Sequence, residues 1–213
     1  MYDVIFFDLD GTLSDPGLGI TNSVMHALKY RNIEVKDRSE LYMFIGPPLI
    51  ETFMEYCRIS RKEAEEMVPH YREYFSEKGL YENEMYEGIP ALLTKLKAMG
   101  KRLAVATSKP DLFSVEILKH FGIYEYFEFV GGATMQETRT RKEEVIEYVL
   151  ESMGIEDRSR VLMIGDREHD ILGAKKCGLH SLGVLYGYGD REELSAAGAD
   201  HIAEAPEDIL KFV

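Results

Sequence analysis

Two aspartates near the start of the chain, Asp8 and Asp10, are spaced so that both carboxylates could bind one cation. They follow a short apolar run, residues 4–7, and Gly11 comes directly after them. Clustered carboxylates repel one another, so a cation between them is the usual reason for keeping them together. Hard oxygen donors with few protein ligands suit Mg²⁺. A pair of turn-forming aspartates without a metal is the simpler alternative for these residues taken alone.

Hydroxyl groups follow a second apolar run, residues 101–107. The run ends in Thr107, and Ser108 comes next, before a Lys-Pro pair. Hydroxyls and backbone amides at a junction between a strand and a helix can hold a phosphate group. Serine or threonine before a helix that opens with proline is also a common N-cap. Both interpretations stay open from these residues alone.

Three more charged residues stand where predicted elements begin or end. Lys142 lies at the start of a predicted helix, after a polar loop over residues 134–141. Asp166 follows the apolar run 161–164 and Gly165, and Asp170 comes four residues later, about one helical turn further. A lysine in such a place is usually solvated. An acid at a helix start is also favoured by the helix dipole alone.

The elements that would position these residues alternate along the chain. Short apolar runs rich in β-branched and aromatic residues predict strands buried on both faces, at residues 4–7, 101–107, 126–130, 161–164 and 181–184. Helical periodicity lies between them, at residues 91–99, 112–120, 142–153 and 170–176. This order predicts an α/β protein with an open, parallel, Rossmann-like sheet. Because ligands bind at the carboxyl edge of such a sheet, the polar residues above should converge there.

One region interrupts this alternation. Residues 16–84 contain no good strand, and three amphipathic helices are predicted at residues 20–30, 49–58 and 61–78. The region is too long for an ordinary loop and too regularly patterned for a disordered one. We therefore predict a helical domain at residues 16–84, inserted into an α/β core of residues 1–15 and 85–213.

The amino-acid composition of the chain limits which partners and which cellular location we expect. The 213 residues carry 25 Lys and Arg against 38 Asp and Glu, a formal net charge of −13. A field of this sign repels nucleic acid and anionic lipid, so neither a nucleic acid nor a membrane is expected as a partner. Cys57 and Cys177 have no metal-ligand spacing, which favours reduced thiols. With no long apolar segment and no basic leader, we expect a cytoplasmic protein, either a monomer or a weak homodimer.

Taken in order, the four signals resemble the motifs of the haloacid-dehalogenase-like hydrolase superfamily. Residues 8–12 match its Asp-x-Asp-Gly-Thr motif, Thr107 its second motif, Lys142 its third, and residues 165–170 its acidic fourth. The resemblance extends over nearly the whole chain. It implies an α/β core with an inserted helical cap, and an enzyme that hydrolyses phosphomonoesters.

The resemblance also implies a mechanism and a role for each residue. Asp8 would be the nucleophile that forms an aspartyl-phosphate, and Asp10 the general acid and base. Asp8, Asp166 and the backbone carbonyl of Asp10 would hold Mg²⁺. Thr107 would bond a phosphoryl oxygen, and Lys142 would lie between the nucleophile and the phosphate.

The remaining site residues have supporting roles in this resemblance. Asp170 would orient Lys142 or a metal-bound water without binding the metal itself. Gly11 and Ser108 would contact the substrate. Gly46, within residues 45–49, resembles part of the specificity loop of a helical cap, although a simple turn between helices explains the same residues.

The helical insertion resembles the cap of the branch that contains phosphoglycolate phosphatases and 5′-nucleotidases. The expected substrate is therefore a small phosphomonoester, with phosphoglycolate or a 5′-nucleotide favoured. A phosphomutase of the same superfamily is the first alternative, but two prolines follow Gly46 where such mutases tend to carry a basic residue. A non-catalytic phosphate-binding or signalling module is the second. Asp10 argues against it, because signalling receivers lack that second acid.

Overall fold

A six-stranded sheet forms the centre of the larger of two units into which the chain divides. The computed structural model describes residues 2–136 and 138–213. The larger unit comprises Met1–Ser14 and Met85–Val213, and the smaller unit comprises Asp15–Glu84. In chain order the strands are β1 (Val4–Phe7), β2 (Ser14–Asp15), β3 (Glu84–Met85), β4 (Arg102–Pro110), β5 (Phe129–Ala133), β6 (Val161–Gly165), β7 (His180–Val184) and β8 (His201–Ala203).

All neighbouring strands of the main sheet are parallel, in the order β5-β4-β1-β6-β7-β8. In the central strand β1, Phe7 stands opposite Val105 of β4 and Ile164 of β6. Every residue of β1 is buried. A continuous apolar strand is what a parallel sheet covered on both faces requires. The predicted α/β fold with a parallel sheet is confirmed.

Eight α-helices are found among the described residues. They are α1 (Gly17–Tyr30), α2 (Leu49–Cys57), α3 (Arg61–Tyr74), α4 (Ile89–Ala98), α5 (Asp111–His120), α6 (Lys142–Ser152), α7 (Glu168–Lys176) and α8 (Arg191–Ala197). One core cluster joins β1, β4 and β6 to α6, through buried residues such as Phe6, Ala104, Met163 and Val149. Packing of this kind stabilises the sheet by removing apolar area from water.

The smaller unit contains α1, α2 and α3, together with a 3-10 helix at Arg38–Phe44. Its third helix begins with a capping box, in which Ser60 and Glu63 each bond the other's backbone. The predicted helix over residues 61–78 is divided, because α3 ends at Tyr74 and a π-turn spans Phe75–Gly79. At that turn a Cβ on Gly19 of α1 would lie 2.0 Å from the Gly79 carbonyl oxygen. The widened turn thus accompanies a close backbone approach.

Several boundaries in the larger unit differ from the predicted ones. The strand predicted at residues 101–107 continues to Pro110, with a register shift against β5 between Ala106 and Pro110. The strand predicted at residues 126–130 starts later, at Phe129, because a 3-10 turn occupies Tyr124–Tyr126. Neither α8 nor β8 was predicted, since both are too short to show a periodicity. Over the described part of the chain, no helix combines the length and apolar character needed to span a membrane.

Candidate active site

Three buried aspartates converge at the carboxyl edge of the sheet. Asp8 follows β1, Asp166 follows the neighbouring strand β6, and Asp170 lies in the first turn of α7. Each offers a carboxylate oxygen, and these oxygens all lie within 4.8 Å of one another. The Asp8 amide donates to the Ile164 carbonyl oxygen at 2.8 Å, so the position of Asp8 is fixed by the strand pairing itself.

Lys142 places an ammonium group between two of these carboxylates. Its Nζ lies 2.8 Å from Asp8 Oδ1 and 2.7 Å from Asp170 Oδ1. It also donates to the Ala106 carbonyl oxygen of β4 at 3.1 Å. A Cβ on Gly173 would lie 2.7 Å from Lys142 Cγ, so the absence of a side chain at Gly173 makes room for the lysine to reach the site. All the charged partners of this ion-pair cluster are buried.

Burial changes the protonation of these groups. The pKa of Asp166 is raised well above its ordinary value by burial, and further by the charges of Asp170 and Asp8. Burial also raises the pKa of Asp170 to about 6, although Lys142 offsets part of the effect. For Lys142, burial alone would lower the pKa, but Asp170 and Asp8 together raise it. Three carboxylates face one ammonium group, so the donor set has the charge and the hard oxygens that suit a divalent cation such as Mg²⁺.

Two loops hold the Asp166 carboxylate in place. Tyr188 N donates to Oδ2 at 2.9 Å, and Thr12 Oγ1 donates to Oδ1 at 3.3 Å. Gly11 has a φ of +81°, and a Cβ there would lie 2.1 Å from Asp166 Oδ2. The backbone at Gly11 therefore lies close against Asp166. A substrate contact by Gly11 stays a prediction.

The loop after β7 was not identified from the sequence. The Tyr186 hydroxyl donates to the Thr12 carbonyl oxygen at 3.0 Å, and a Cβ on Gly187 would lie 2.3 Å from the Gly11 carbonyl oxygen. A Cβ on Gly189 would lie 2.0 Å from the Asp166 carbonyl oxygen. The alternation of tyrosine and glycine directly after a strand was the signal that could have revealed this close packing.

Asp10 is buried beside a second lysine, which sequence reasoning also missed. Lys109 Nζ lies 2.6 Å from Asp10 Oδ2, and both side chains are less than a tenth exposed. Burial raises the pKa of Asp10, and Lys109 offsets part of that rise. Lys109 reaches the site because β4 continues beyond Thr107. A strand predicted to end at residue 107 gave no reason to look there.

The structure excludes one of the two interpretations of Thr107 and Ser108, the N-cap. The N-cap of α5 is Pro110, so neither hydroxyl residue caps that helix. Thr107 is buried, and its Oγ1 accepts a hydrogen bond from the Lys109 amide at 3.3 Å. Ser108 is half-buried on the same strand. Both residues thus lie in the carboxyl-terminal part of β4, but their contact with a phosphate stays a prediction.

Gly46 belongs to the smaller unit. It has a φ of +100° and lies between the 3-10 helix Arg38–Phe44 and α2. A left-handed backbone at this position favours glycine, which agrees with a sharp loop at residues 45–49. The role of that loop toward a substrate stays a prediction.

Most of the chain is similar to a known protein family. A family model described as haloacid dehalogenase-like hydrolase matches residues 5–184, most of the chain. The chain belongs to this family. The predicted family is therefore confirmed, and the matched range contains Asp8, Asp10, Thr107, Lys142, Asp166 and Asp170.

This haloacid dehalogenase-like hydrolase is similar to several named proteins. It is 47% identical over 200 residues to a 5′-nucleotidase of Pseudomonas aeruginosa, with 94% of this chain and 90% of the relative covered. It is 38% identical to tyrosine-protein kinase PtkA of Mycobacterium tuberculosis, and the match covers 87% of this chain and 63% of that protein. A phosphoglycolate phosphatase of Colwellia psychrerythraea is 30% identical, with 98% and 95% covered.

A solved structure shares the whole fold. A predicted phosphatase from Clostridium acetobutylicum is 45% identical and superposes with a TM-score of 0.96, covering 100% of both chains. The protein is a phosphatase of the haloacid dehalogenase-like hydrolase family, as the sequence predicted.

Proposed function

We propose that this hydrolase is a Mg²⁺-dependent phosphatase that removes phosphate from 5′-nucleotides through an aspartyl-phosphate at Asp8. The observation that carries the chemistry is the cluster of three buried carboxylates, two of which pair with Lys142. Support for the substrate comes from the relative named 5′-nucleotidase, which is more similar to this chain than the relative named phosphoglycolate phosphatase. Phosphoglycolate is the second candidate.

Asp8, Asp166 and the backbone carbonyl of Asp10 would hold the metal. When bound, Mg²⁺ would neutralise carboxylate charge and polarise the phosphoryl group. These residues fit a divalent cation. The charges of Asp170 and Asp8 raise the pKa of Asp166, which shows that the buried carboxylates lack enough positive charge nearby. Asp170 has a different task in this proposal. Its Oδ1 ion pair with Lys142 orients the ammonium group toward Asp8.

Asp8 would act as the nucleophile. Its backbone is fixed by the bond to Ile164, and Lys142 pairs with one of its carboxylate oxygens. A carboxylate oxygen of Asp8 would attack phosphorus, forming the aspartyl-phosphate as the bond to the ester oxygen breaks. Lys142 and Thr107 would stabilise the charge that develops on the phosphoryl oxygens.

Asp10 would move the protons of both half-reactions. In the first, it would donate a proton to the leaving oxygen, so that the alcohol departs neutral. In the second, it would take a proton from the water that attacks phosphorus, and that step would release inorganic phosphate and restore the Asp8 carboxylate. Burial favours this dual role, since it raises the pKa of Asp10 toward the range in which a carboxyl group can both donate and accept.

We propose further that residues 15–84 act as a cap that selects the leaving group, with Gly46 in its specificity loop. Ser108 and Gly11 would contact the substrate from the core. In keeping with the charge of −13 and two free cysteines, we propose a cytoplasmic monomer or weak homodimer acting on small molecules.

The test is release of inorganic phosphate from a panel of phosphomonoesters in the presence of Mg²⁺. The panel contains 5′-mononucleotides, phosphoglycolate, sugar phosphates and p-nitrophenyl phosphate, and the Asp8→Asn variant is the blank. We expect the highest kcat/KM for a 5′-mononucleotide, and a loss of at least about 10⁴-fold in Asp8→Asn, because the nucleophile is removed.

Thermal unfolding of Asp8→Asn serves as the folding control for that blank. Turnover by Asp8→Asn at the wild-type rate would disprove the mechanism. A preference for phosphoglycolate would change the substrate and keep the chemistry. Isomerisation of a sugar phosphate without phosphate release would instead identify a mutase.

A further inference from the structure

The two carboxylate oxygens of Asp10 have different surroundings. Oδ2 lies 2.6 Å from Lys109 Nζ. Oδ1 is buried and has no hydrogen-bond partner among the described residues. A buried carboxylate oxygen without a partner is unusual in a folded protein and calls for an explanation. The other oxygen of the same carboxyl group explains it. Lys109 holds Oδ2, so the carboxyl group keeps an orientation that leaves Oδ1 without a protein partner.

Lys109 is held at the carboxyl end of β4, and its own backbone is fixed there. Its amide donates to Thr107 Oγ1 at 3.3 Å, and its side chain is 5% exposed. The lysine side chain is thus buried at this edge of the sheet and is not a solvated surface group. A charge buried to this extent is costly unless it is paired, which ties the lysine to Asp10.

We propose that Lys109 is a positioning residue that holds Oδ2 of Asp10, so that Oδ1 faces the leaving oxygen and transfers the proton. The inference deepens the proposed function and rests on it. The ion pair restricts rotation of the carboxyl group, and a proton donor displaced by about 1 Å can lose about 100-fold in rate. Lys142 cannot replace Lys109, because it is already paired with Asp8 and Asp170.

A leaving-group series separates this role from others. An alkyl alcohol needs a proton as it leaves, whereas p-nitrophenolate leaves without one. We therefore expect Lys109→Met to lose about 100-fold in kcat/KM for a 5′-mononucleotide and less than about 5-fold for p-nitrophenyl phosphate. Lys109→Arg should recover part of the loss, since a guanidinium group can also donate to Oδ2.

A double-mutant cycle tests whether Lys109 acts through Asp10. In the Asp10→Asn background, the carboxylate that Lys109 would position is absent, so adding Lys109→Met should change kcat/KM for a 5′-mononucleotide by less than about 2-fold. The double variant also removes both members of the buried pair at once. It therefore leaves no unpaired charge that could unfold the protein.

Lys101 provides a matched control on the same segment of chain. It is a buried lysine directly before β4, and its Nζ donates to the Tyr2 carbonyl oxygen at 2.6 Å. Lys101→Met measures what losing a buried ammonium group costs at the other end of the strand. We expect it to lower the unfolding temperature while the leaving-group dependence stays that of the wild type.

Three results would overturn the inference while the proposed function stands. The first is an equal loss for alkyl and aryl phosphates together with a raised KM, which would make Lys109 a substrate contact. The second is a full effect of Lys109→Met in the Asp10→Asn background. The third is a wild-type rate in Lys109→Met. If the wild-type protein released no phosphate from any ester, the proposed function would fail and the inference with it.

Discussion

The ion pairs at the two ends of the central sheet differ in how deeply they are buried. At the carboxyl end, the pairs Lys142–Asp8 and Lys109–Asp10 have side chains that are less than a tenth exposed. At the amino end, Arg102 pairs with Glu128 while about two-fifths of each side chain remains exposed. Strand β4 supplies a residue to both ends, Arg102 and Lys109, so the difference does not come from the type of secondary structure.

The difference shows where the fold accepts an energetic cost. An exposed ion pair contributes about 0–1 kcal/mol, because water screens it and solvates each partner equally well alone. A buried pair loses the hydration of both charges, and its attraction often does no more than offset that loss. Buried charges therefore accumulate where chemistry needs them, and here they accumulate at the edge where a parallel sheet binds its ligands.

Lys142→Met should give the largest effect on stability. The change leaves Asp8 and Asp170 buried without their shared counter-ion, so the free energy of unfolding should fall by about 3–5 kcal/mol at pH 7.5 without metal. Phosphate release should fall by at least about 100-fold, because the positive charge beside the phosphoryl group is lost. Urea unfolding and phosphate release measure the two effects. A loss of stability below about 1 kcal/mol would remove the distinction between the two ends.

Metal binding should depend on pH in a direction fixed by Asp166 and Asp170. Both have a raised pKa in the folded protein, and that of Asp170 rises from 3.8 to about 6. The metal-free native state therefore keeps protons that the unfolded chain has released, so its stability should fall as the pH rises from about 4 through 6. Because Asp166 must lose its proton to hold Mg²⁺, the stabilising effect of Mg²⁺ should increase as the pH rises.

Differential scanning calorimetry with Mg²⁺ or EDTA at pH 5 and pH 7.5 tests this expectation. The increase in unfolding temperature caused by Mg²⁺ should be greater at pH 7.5, and EDTA should abolish phosphate release. Calcium at the same concentration controls for general ionic effects. A Mg²⁺ site requires octahedral geometry and shorter metal–oxygen distances than Ca²⁺ adopts. An increase that is the same at both pH values would contradict the proton competition.

Arg102→Met should give the smallest effect. Its ion pair with Glu128 is about two-fifths exposed to water, so the free energy of unfolding should change by no more than about 1 kcal/mol. Phosphate release should stay at the wild-type rate. Part of that change would come from the bond that Arg102 donates to the Met153 carbonyl oxygen at 3.0 Å. A loss above about 2 kcal/mol would show that the amino end also carries strongly coupled charges.

Much of the fold follows from local patterns that the sequence displays directly. The apolar runs at β1, β6 and β7 correspond closely to the observed strands, because strands buried on both faces must be apolar throughout. Helices α1, α2 and α3 were predictable for a similar reason, since amphipathic periodicity needs only neighbouring residues. Short elements such as α8 and β8 escaped, because they contain too few residues to establish a period.

By itself, the sequence determined the family, the parallel sheet and the acidic residues at its carboxyl edge, because strand alternation and motif spacing are properties of neighbouring residues. Only the tertiary structure decided that a second lysine faces Asp10. Lys109 pairs with Asp10 because β4 runs on to Pro110, and Asp166 is held by Tyr188 from the loop after β7. Such pairings join residues far apart in the chain, and burial then fixes their charges. Their strength depends on packing and dielectric surroundings, which no local pattern records.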